Sequence, residues 1–179
     1  MISSFFSLEN RKKNTKYIID TVSESLFKIT GKENSAAAAK LLIFLHINAM
    51  TFMLYNLIVS DVSFLFYFLT LVWFILISLN YYFHGCILAK IEQELLQDET
   101  WSGPANIMLY PIHLFYKPNT QILNDYVKYF WSIPTTVIII LRYLINDDST
   151  NIFIGVALCV ILMPLLFIRN PDDLFSYLI

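Results

Sequence analysis

Four side chains near the middle of the chain are of types that bind metals or act as acids, bases and nucleophiles: His84, Cys86, Glu92 and His113. A thiol beside an imidazole is a nucleophile with its general base, and thiol, imidazole and carboxylate all bind zinc. On a continuous helix, however, His84 and Cys86 point about 200° apart around the axis. His84 and Glu92 would lie about 12 Å apart along it. The spacing therefore predicts no catalytic set, no metal site and no cofactor.

Three further polar side chains, His46, Asn48 and Asn56, lie in an apolar segment that precedes this group. Polar groups in hydrocarbon cost free energy unless they find partners, so they should face other helices or water. Asn48 and Asn56 fall near one helical stripe, and His46 lies elsewhere on the helix surface. Hydrogen bonding between packed helices is one interpretation. A polar seam that lines a pore is the alternative.

The elements that carry these residues are long apolar segments. Val62 to Phe83 is a run of 22 residues without a charged side chain, and at about 1.5 Å per residue it can cross a hydrocarbon core about 30 Å thick. We expect its helix to continue through Leu96 in water. Other segments suited to spans run from about Leu41 to Val59, Val127 to Ile145 and Ile152 to Ile168. Short polar turns join the first to the second and the third to the fourth.

The composition agrees with several membrane spans, since 57% of the 179 residues are hydrophobic and only 15% are charged, whereas a soluble domain carries more charge. The net charge of −2 indicates no affinity for nucleic acid. The predicted fold class is thus an all-α polytopic membrane protein, with four transmembrane helices in two hairpins and a cytosolic helical cap. We expect Pro134 to bend the third span, and Arg142 to snorkel outward or to meet Asp147 or Asp148.

The predicted organisation has five parts. They are an N-terminal arm with an amphipathic helix (residues 1–35), a first transmembrane hairpin (36–83), a cytosolic or interfacial segment (84–126), a second transmembrane hairpin (127–168) and a tail (169–179). The amphipathic helix runs from about Thr15 to Gly31. Either it lies at the lipid interface or it packs on another part of the protein. Four basic residues precede or begin it and could contact lipid headgroups or an acidic partner: Arg11, Lys12, Lys13 and Lys16.

The placement of lysine and arginine predicts the orientation in the membrane. Seven of these residues lie between Arg11 and Lys40, before the first span, and three lie between Lys90 and Lys128, between the two hairpins, whereas neither hairpin turn contains one. Because the cytosolic side of membrane proteins is enriched in lysine and arginine, both termini and the middle segment are expected to be cytosolic. Asp61 is then expected on the far side.

The run from His84 to Leu95, HGCILAKIEQEL, followed by Trp101 and by Tyr110-Pro111, resembles a known sequence pattern. It is similar to the His-Gly-Cys-x-Leu-x-x-x-Glu-x-x-Leu pattern of small, uncharacterised multi-pass membrane proteins from bacteria, with relatives in algae and their large DNA viruses. Where those proteins often have Pro-Leu-Thr, this chain has Ile87-Leu88-Ala89. The resemblance implies that the second span leaves the membrane through this motif. It implies no catalytic residue, and it makes a large DNA virus with an internal membrane a candidate source.

The function expected from the sequence is a non-enzymatic membrane scaffold that ties a bilayer to a protein assembly, such as a membrane-anchored minor capsid protein. Partners would be the lipid bilayer, proteins that bind the cap and further copies of the chain. One alternative is an oligomeric pore lined by Asn48, Asn56 and His46. The other is an interfacial enzyme or carrier for lipid-like substrates that uses His84, Cys86, Glu92 or His113.

Overall fold

The computed structural model describes residues 7–31, 34–108, 131–146 and 149–167. Within these ranges every regular element is a helix, so the prediction of an all-α fold is confirmed. The helices are α1 (Leu8–Thr30), α2 (Ser35–Ile58), α3 (Phe64–Tyr82), α4 (Ile87–Leu96), α5 (Pro104–Met108), α6 (Ile133–Ile145) and α7 (Ser149–Phe167).

Two of these helices, α2 and α3, are long and apolar enough to cross a membrane. Only 22% and 28% of their most apolar stretches are buried inside the protein, whereas the core helix of a soluble protein hides most of its surface. Their outward faces carry large apolar side chains such as Phe44, Phe52 and Phe68. The shorter apolar helices are α6 and the Ser149–Leu158 part of α7. Two helices therefore meet the requirements of a span in the described ranges, and the prediction of four is not confirmed.

The core of the apolar half lies where α2, α3 and α6 meet. Leu57, Phe66 and Ile139 are almost completely buried there. The indole nitrogen of Trp73 on α3 donates to Thr136 Oγ1 on α6 at 3.0 Å. A methyl group at Gly155 would lie only 2.9 Å from the Tyr143 Cβ, so glycine is what lets α7 approach α6 this closely. The two predicted hairpins are thus packed on each other through α6.

Arg142 fixes α6 to the end of α2. Its guanidinium donates to the carbonyl oxygens of Asn56 at 3.2 Å and Leu57 at 2.7 Å, and to that of Ser60. It also lies 4.5 Å from the centre of the Phe66 ring. The last carbonyls of a helix lack partners within the helix and carry partial negative charge, so a cation there is stabilising. Arg142 thus points inward rather than snorkelling; Asp147 and Asp148, its other predicted partners, lie outside the described residues.

The structure corrects a further prediction in this part of the chain. The second span does not continue into the helix through Leu96, because α3 ends at Tyr82 and the backbone of His84 and Gly85 has φ of 53° and 123°. Such left-handed values end a helix. Pro134 lies in the first turn of α6, directly after two residues of π-helical backbone at Trp131 and Ser132. The predicted bend of a longer span at Pro134 involves residues before 131, which lie outside the described ranges.

The N-terminal arm forms one helix that packs on the rest of the chain. Ser7 caps α1 by accepting from the Asn10 N–H at 3.3 Å, and Gly31 follows its last residue with φ of 90°. The predicted end near Gly31 is confirmed, and the helix begins earlier than Thr15. Leu26 and its neighbours on α1 pack against Ala38, Ala39 and Ile91. The apolar side of α1 therefore covers α2 and α4.

We expect Arg142→Met to lower the stability of the protein by about 2 kcal/mol, because carbonyls at the end of α2 lose charge-assisted hydrogen bonds in a buried setting. Arg142→Lys should recover part of this loss, since an ammonium keeps the charge but cannot reach all the carbonyls. Thermal unfolding in detergent, followed by helical circular dichroism, measures both. Equal midpoints for the wild type and Arg142→Met would show that these bonds contribute nothing.

Candidate active site

The turn between α3 and α4 determines where Cys86 lies. The end of α3 is closed by the Gly85 N–H, which donates to the Asn80 carbonyl at 2.8 Å. Glycine suits this position because its φ of 123° is one that other residues rarely adopt. Cys86 is extended and acts as the N-cap residue of α4, so its sulfur lies at the positive end of that helix. Helix α4 then packs against α2.

Cys86 meets a histidine and a glutamate from two helices. Its Sγ lies 3.7 Å from His46 Nε2, and His46 Nδ1 lies 2.8 Å from Glu92 Oε1. His46 belongs to α2 and Glu92 to α4, one to two turns after Cys86. Because a carboxylate only accepts, its contact places a proton on Nδ1; Nε2 accepts from the thiol, or donates to the thiolate once it has taken the thiol proton. The thiol, the imidazole and the carboxylate therefore form a line. They follow the order in which a catalytic triad places its nucleophile, its general base and the acid that orients the base.

The carboxylate at the end of this line is completely buried, with 0% of Glu92 exposed. Its second oxygen, Oε2, accepts from the indole nitrogen of Trp101 at 2.6 Å. Gly103 completes the wall: a Cβ there would lie 3.1 Å from the Ala89 Cβ and 3.6 Å from both Glu92 Oε2 and His46 Cε1. The Ser102 hydroxyl between Trp101 and Gly103 is buried without a hydrogen-bond partner among the described residues. Trp101 to Gly103 thus closes one side of the cluster.

The surroundings of Cys86 favour its thiolate. Burial raises the pKa of the thiol, but the hydrogen bond and positive charge of the His46 imidazole, together with the Ala89 and Leu88 amides, lower it by more. The net pKa lies below the ordinary value of a cysteine thiol. A thiolate is the reactive form of cysteine, and a lowered pKa is typical of nucleophilic cysteines. Cys86 is also partly exposed.

The same line cannot serve as a metal site. The two nitrogens of His46 face different partners, Cys86 on one side and Glu92 on the other. The imidazole therefore separates the thiol from the carboxylate, and the three cannot converge on one ion. In residues 7–31, 34–108, 131–146 and 149–167, no group of three histidine, cysteine or acidic residues has metal-binding geometry.

The predicted motif of His84, Cys86 and Glu92 is divided by the turn. His84 faces α1, with its Nε2 2.7 Å from Arg11 Nη1, whereas Cys86 and Glu92 face His46. His113 lies outside the described residues. The pairing of His46 with Cys86 was not predicted, because His46 was expected in a polar seam among the spans. The signal that could have revealed it is the His84-Gly85 pair, since glycine commonly follows the end of a helix.

The remaining predicted site residues lie apart from one another. Asn48 is exposed and donates to the Phe44 carbonyl at 2.7 Å; Asn56 is buried and donates to the Phe52 carbonyl at 2.8 Å. Within the chain these two side chains and His46 form no common seam.

The four basic residues of the arm divide in a similar way. Arg11 is only 3% exposed and donates to the Tyr82 carbonyl at 3.4 Å. Lys12, Lys13 and Lys16 are exposed. Arg11 therefore holds α1 to the end of α3, and the three lysines remain accessible.

We expect the reaction of Cys86 with iodoacetamide to follow a pH profile whose midpoint lies below that of an ordinary thiol. His46→Asn should raise the midpoint and slow the reaction near neutral pH, because the thiolate loses the hydrogen bond and the positive charge of the imidazole. A Cys159→Ala background isolates Cys86, and Asn48→Ala, an exposed position on the same helix, is the matched control. An ordinary midpoint that His46→Asn leaves unchanged would contradict the prediction.

The arrangement has to be interpreted from its own geometry. No family model, no curated protein and no solved structure matches the chain. The resemblance of the His84 to Leu95 run to small multi-pass membrane proteins therefore stays a prediction. A fold alone would not define an activity in any case, whereas the position of a thiol, a base and an acid constrains the chemistry.

Proposed function

We propose that the protein is an interfacial enzyme that transfers or hydrolyses acyl groups through a Cys86 thioester. The observation that carries the proposal is the line from Cys86 Sγ through the His46 imidazole to the buried Glu92 carboxylate. Cysteine is the nucleophile, His46 the general base and acid, and Glu92 the group that orients the imidazole and balances its charge.

The reaction proceeds in two balanced steps. In the first, the thiol proton passes to His46, the sulfur attacks the carbonyl carbon of an ester, and the carbonyl electron pair moves to oxygen. When that pair returns, the bond to the alcohol breaks and the alcohol leaves with the proton from His46. In the second, His46 removes a proton from water or an acceptor alcohol, which attacks the thioester. The product acid or ester is released, and the thiol regains its proton.

An apolar groove beside the cluster suits an acyl chain. It has a volume of about 290 Å³ and runs along one face of α2, lined by Met50, Leu54, Tyr55 and Ile58, to Pro104 and Trp131. Pro104 follows Gly103, which faces His46 and Glu92. A chain in this groove would lie along a helix that is long enough to span a membrane. The substrate class is therefore an acyl ester dissolved in a bilayer.

A purely structural role for the cluster is the principal alternative. A buried carboxylate requires hydrogen-bond partners, and His46 and Trp101 satisfy both of its oxygens. That role does not require the thiol of Cys86, its lowered pKa or its position at the start of α4. Neither the scaffold nor the pore hypothesis requires them. The thiol, its lowered pKa and its position therefore favour an enzymatic role over the structural, scaffold and pore roles.

The test is acyl-enzyme formation with a p-nitrophenyl ester of a medium-chain fatty acid and the full chain in detergent or vesicles. We expect a burst of p-nitrophenolate and a thioester on Cys86 seen by intact mass. Cys86→Ser should abolish the thioester adduct, and His46→Asn should slow the burst about 10²- to 10⁴-fold, the usual contribution of a general base. Cys159→Ala and Asn48→Ala should react normally. No adduct on folded wild-type protein would assign the cluster a structural role.

We further propose that four helices span the membrane, with both termini and Cys86 on the cytosolic side. The apolar character of α6 and α7 and the absence of lysine and arginine from both hairpin turns support this arrangement. The active cluster would then lie at the cytosolic membrane boundary, next to the end of α3.

The topology predicts opposite labelling of two positions in vesicles of known orientation. A membrane-impermeant maleimide should label Cys86 only from the cytosolic side, in a Cys159→Ala background. Asp61→Cys, with both native cysteines replaced by alanine, should label only from the far side, because the turn between α2 and α3 faces away from the cytosol. Labelling of both positions from the same side would rule out the hairpin.

A further inference from the structure

A second cleft is lined by Phe83 and His84, in the turn between α3 and α4. It has a volume of about 630 Å³ and lies between the first half of α1, the end of α3 and α4. Among the described residues, its charged lining side chains are four cations and two anions, a net charge of +2: Arg11, Lys12, Lys16 and Lys90 against Asp20 and Glu94. The cleft is therefore concave and positively charged, as a site for an anion requires.

Two of these cations are fixed in the wall of the cleft. Arg11 is held by the Tyr82 carbonyl and by His84 Nε2. Lys90 is half-buried, and its Nζ donates to the Phe83 carbonyl at 2.6 Å. Held cations lose less side-chain entropy when an anion arrives than freely rotating ones do.

The lysines of the cleft have no acidic partner in the described part of the chain. No carboxylate there lies within ion-pairing distance of Lys12, Lys16 or Lys90. Burial lowers the pKa of Lys90, since its charged form lacks compensation. A bound anion would supply that compensation. The arrangement thus provides charge for a ligand rather than for an internal salt bridge.

The cleft is also close to the cysteine. Phe83 and His84, in its wall, immediately precede Gly85 and Cys86, and the Lys90 N–H donates to the Cys86 carbonyl at 3.2 Å. The Lys90 Cε lies 4.0 Å from where a Gly85 Cβ would be. An anion held by Lys90 would therefore lie one turn of backbone away from the residue that carries the nucleophile.

We infer that this cleft binds the phosphate of a phospholipid headgroup and positions that lipid for Cys86. A lipid is favoured over a soluble phosphate ester because the cleft begins at Tyr82 and Phe83, where a helix able to span the membrane ends. Phosphate accepts several charge-assisted hydrogen bonds at once, which matches several converging cations. The positioning role rests on the proposed function; the binding of the headgroup does not.

The test measures binding of dioctanoyl phosphatidic acid to the full chain in neutral detergent by isothermal titration calorimetry. Lys12→Gln with Lys16→Gln should weaken binding at least about tenfold, the effect of losing a charge-assisted hydrogen bond. Lys13→Gln with Lys28→Gln is the matched control, because it removes two exposed charges from the same helix that do not line the cleft. The control pair should bind as the wild type does, and unfolding midpoints show whether each variant is folded.

Two results would overturn the inference. Equal weakening by both pairs would mean attraction to net charge rather than a site. Inorganic phosphate that binds as tightly as the lipid would mean a soluble ligand. Binding by Cys86→Ala, which cannot form a thioester, separates this inference from the proposed function. If Cys86→Ala binds the lipid and the wild type shows no acyl transfer, the headgroup site is supported and its positioning role is wrong. If the wild type transfers acyl groups and the Lys12→Gln, Lys16→Gln variant binds the lipid as the wild type does, the enzymatic function is supported and the headgroup site is wrong.

Discussion

The complete burial of the Glu92 carboxylate is the constraint on which this region depends. An ionised carboxylate removed from water costs several kcal/mol unless both oxygens find donors. His46 supplies one donor from α2 and Trp101 supplies the other from the segment after α4. Three separate parts of the chain must therefore be in register before Glu92 can be buried. Ala38 and Ala39 on α2 and Ala89 on α4 are small and buried, which allows this close approach.

The same requirement gives Cys86 its surroundings. For α4 to bring Glu92 to His46, α3 must end and a turn must follow immediately, and Gly85 makes that turn possible. The residue that follows becomes the N-cap of α4 and meets the other nitrogen of the same imidazole. His46 thus both stabilises the buried Glu92 carboxylate and contacts the Cys86 thiol. A purely structural cluster would also need the histidine and the carboxylate, so the thiol is the feature that indicates an enzyme site.

Arg142 has a comparable role at the C-terminal end of α2. Its guanidinium satisfies carbonyls that the end of that helix leaves unpaired and places α6 against Phe66. The buried Glu92 therefore connects the middle of α2 to α4, and the half-buried Arg142 connects the end of α2 to α6. α2 is the common element, and the functional groups proposed above lie beside it: His46, the apolar groove and the wall formed by Gly103.

The helical class, the apolar segments and the end of the first helix at Gly31 follow from the sequence alone, because periodicity, length and glycine act locally. The sequence also identifies Cys86, Glu92 and His46 as residues that chemistry could use. Their meeting is visible only in the folded chain. His46 lies 40 positions before Cys86 and 46 before Glu92, and helical periodicity carries no information across such separations. The continuous helix expected through His84 placed His84 and Cys86 about 200° apart and gave neither a relation to His46. In the structure His84 and Gly85, both with positive φ, end that helix, and the turn they form is followed by Cys86 and Glu92 at His46.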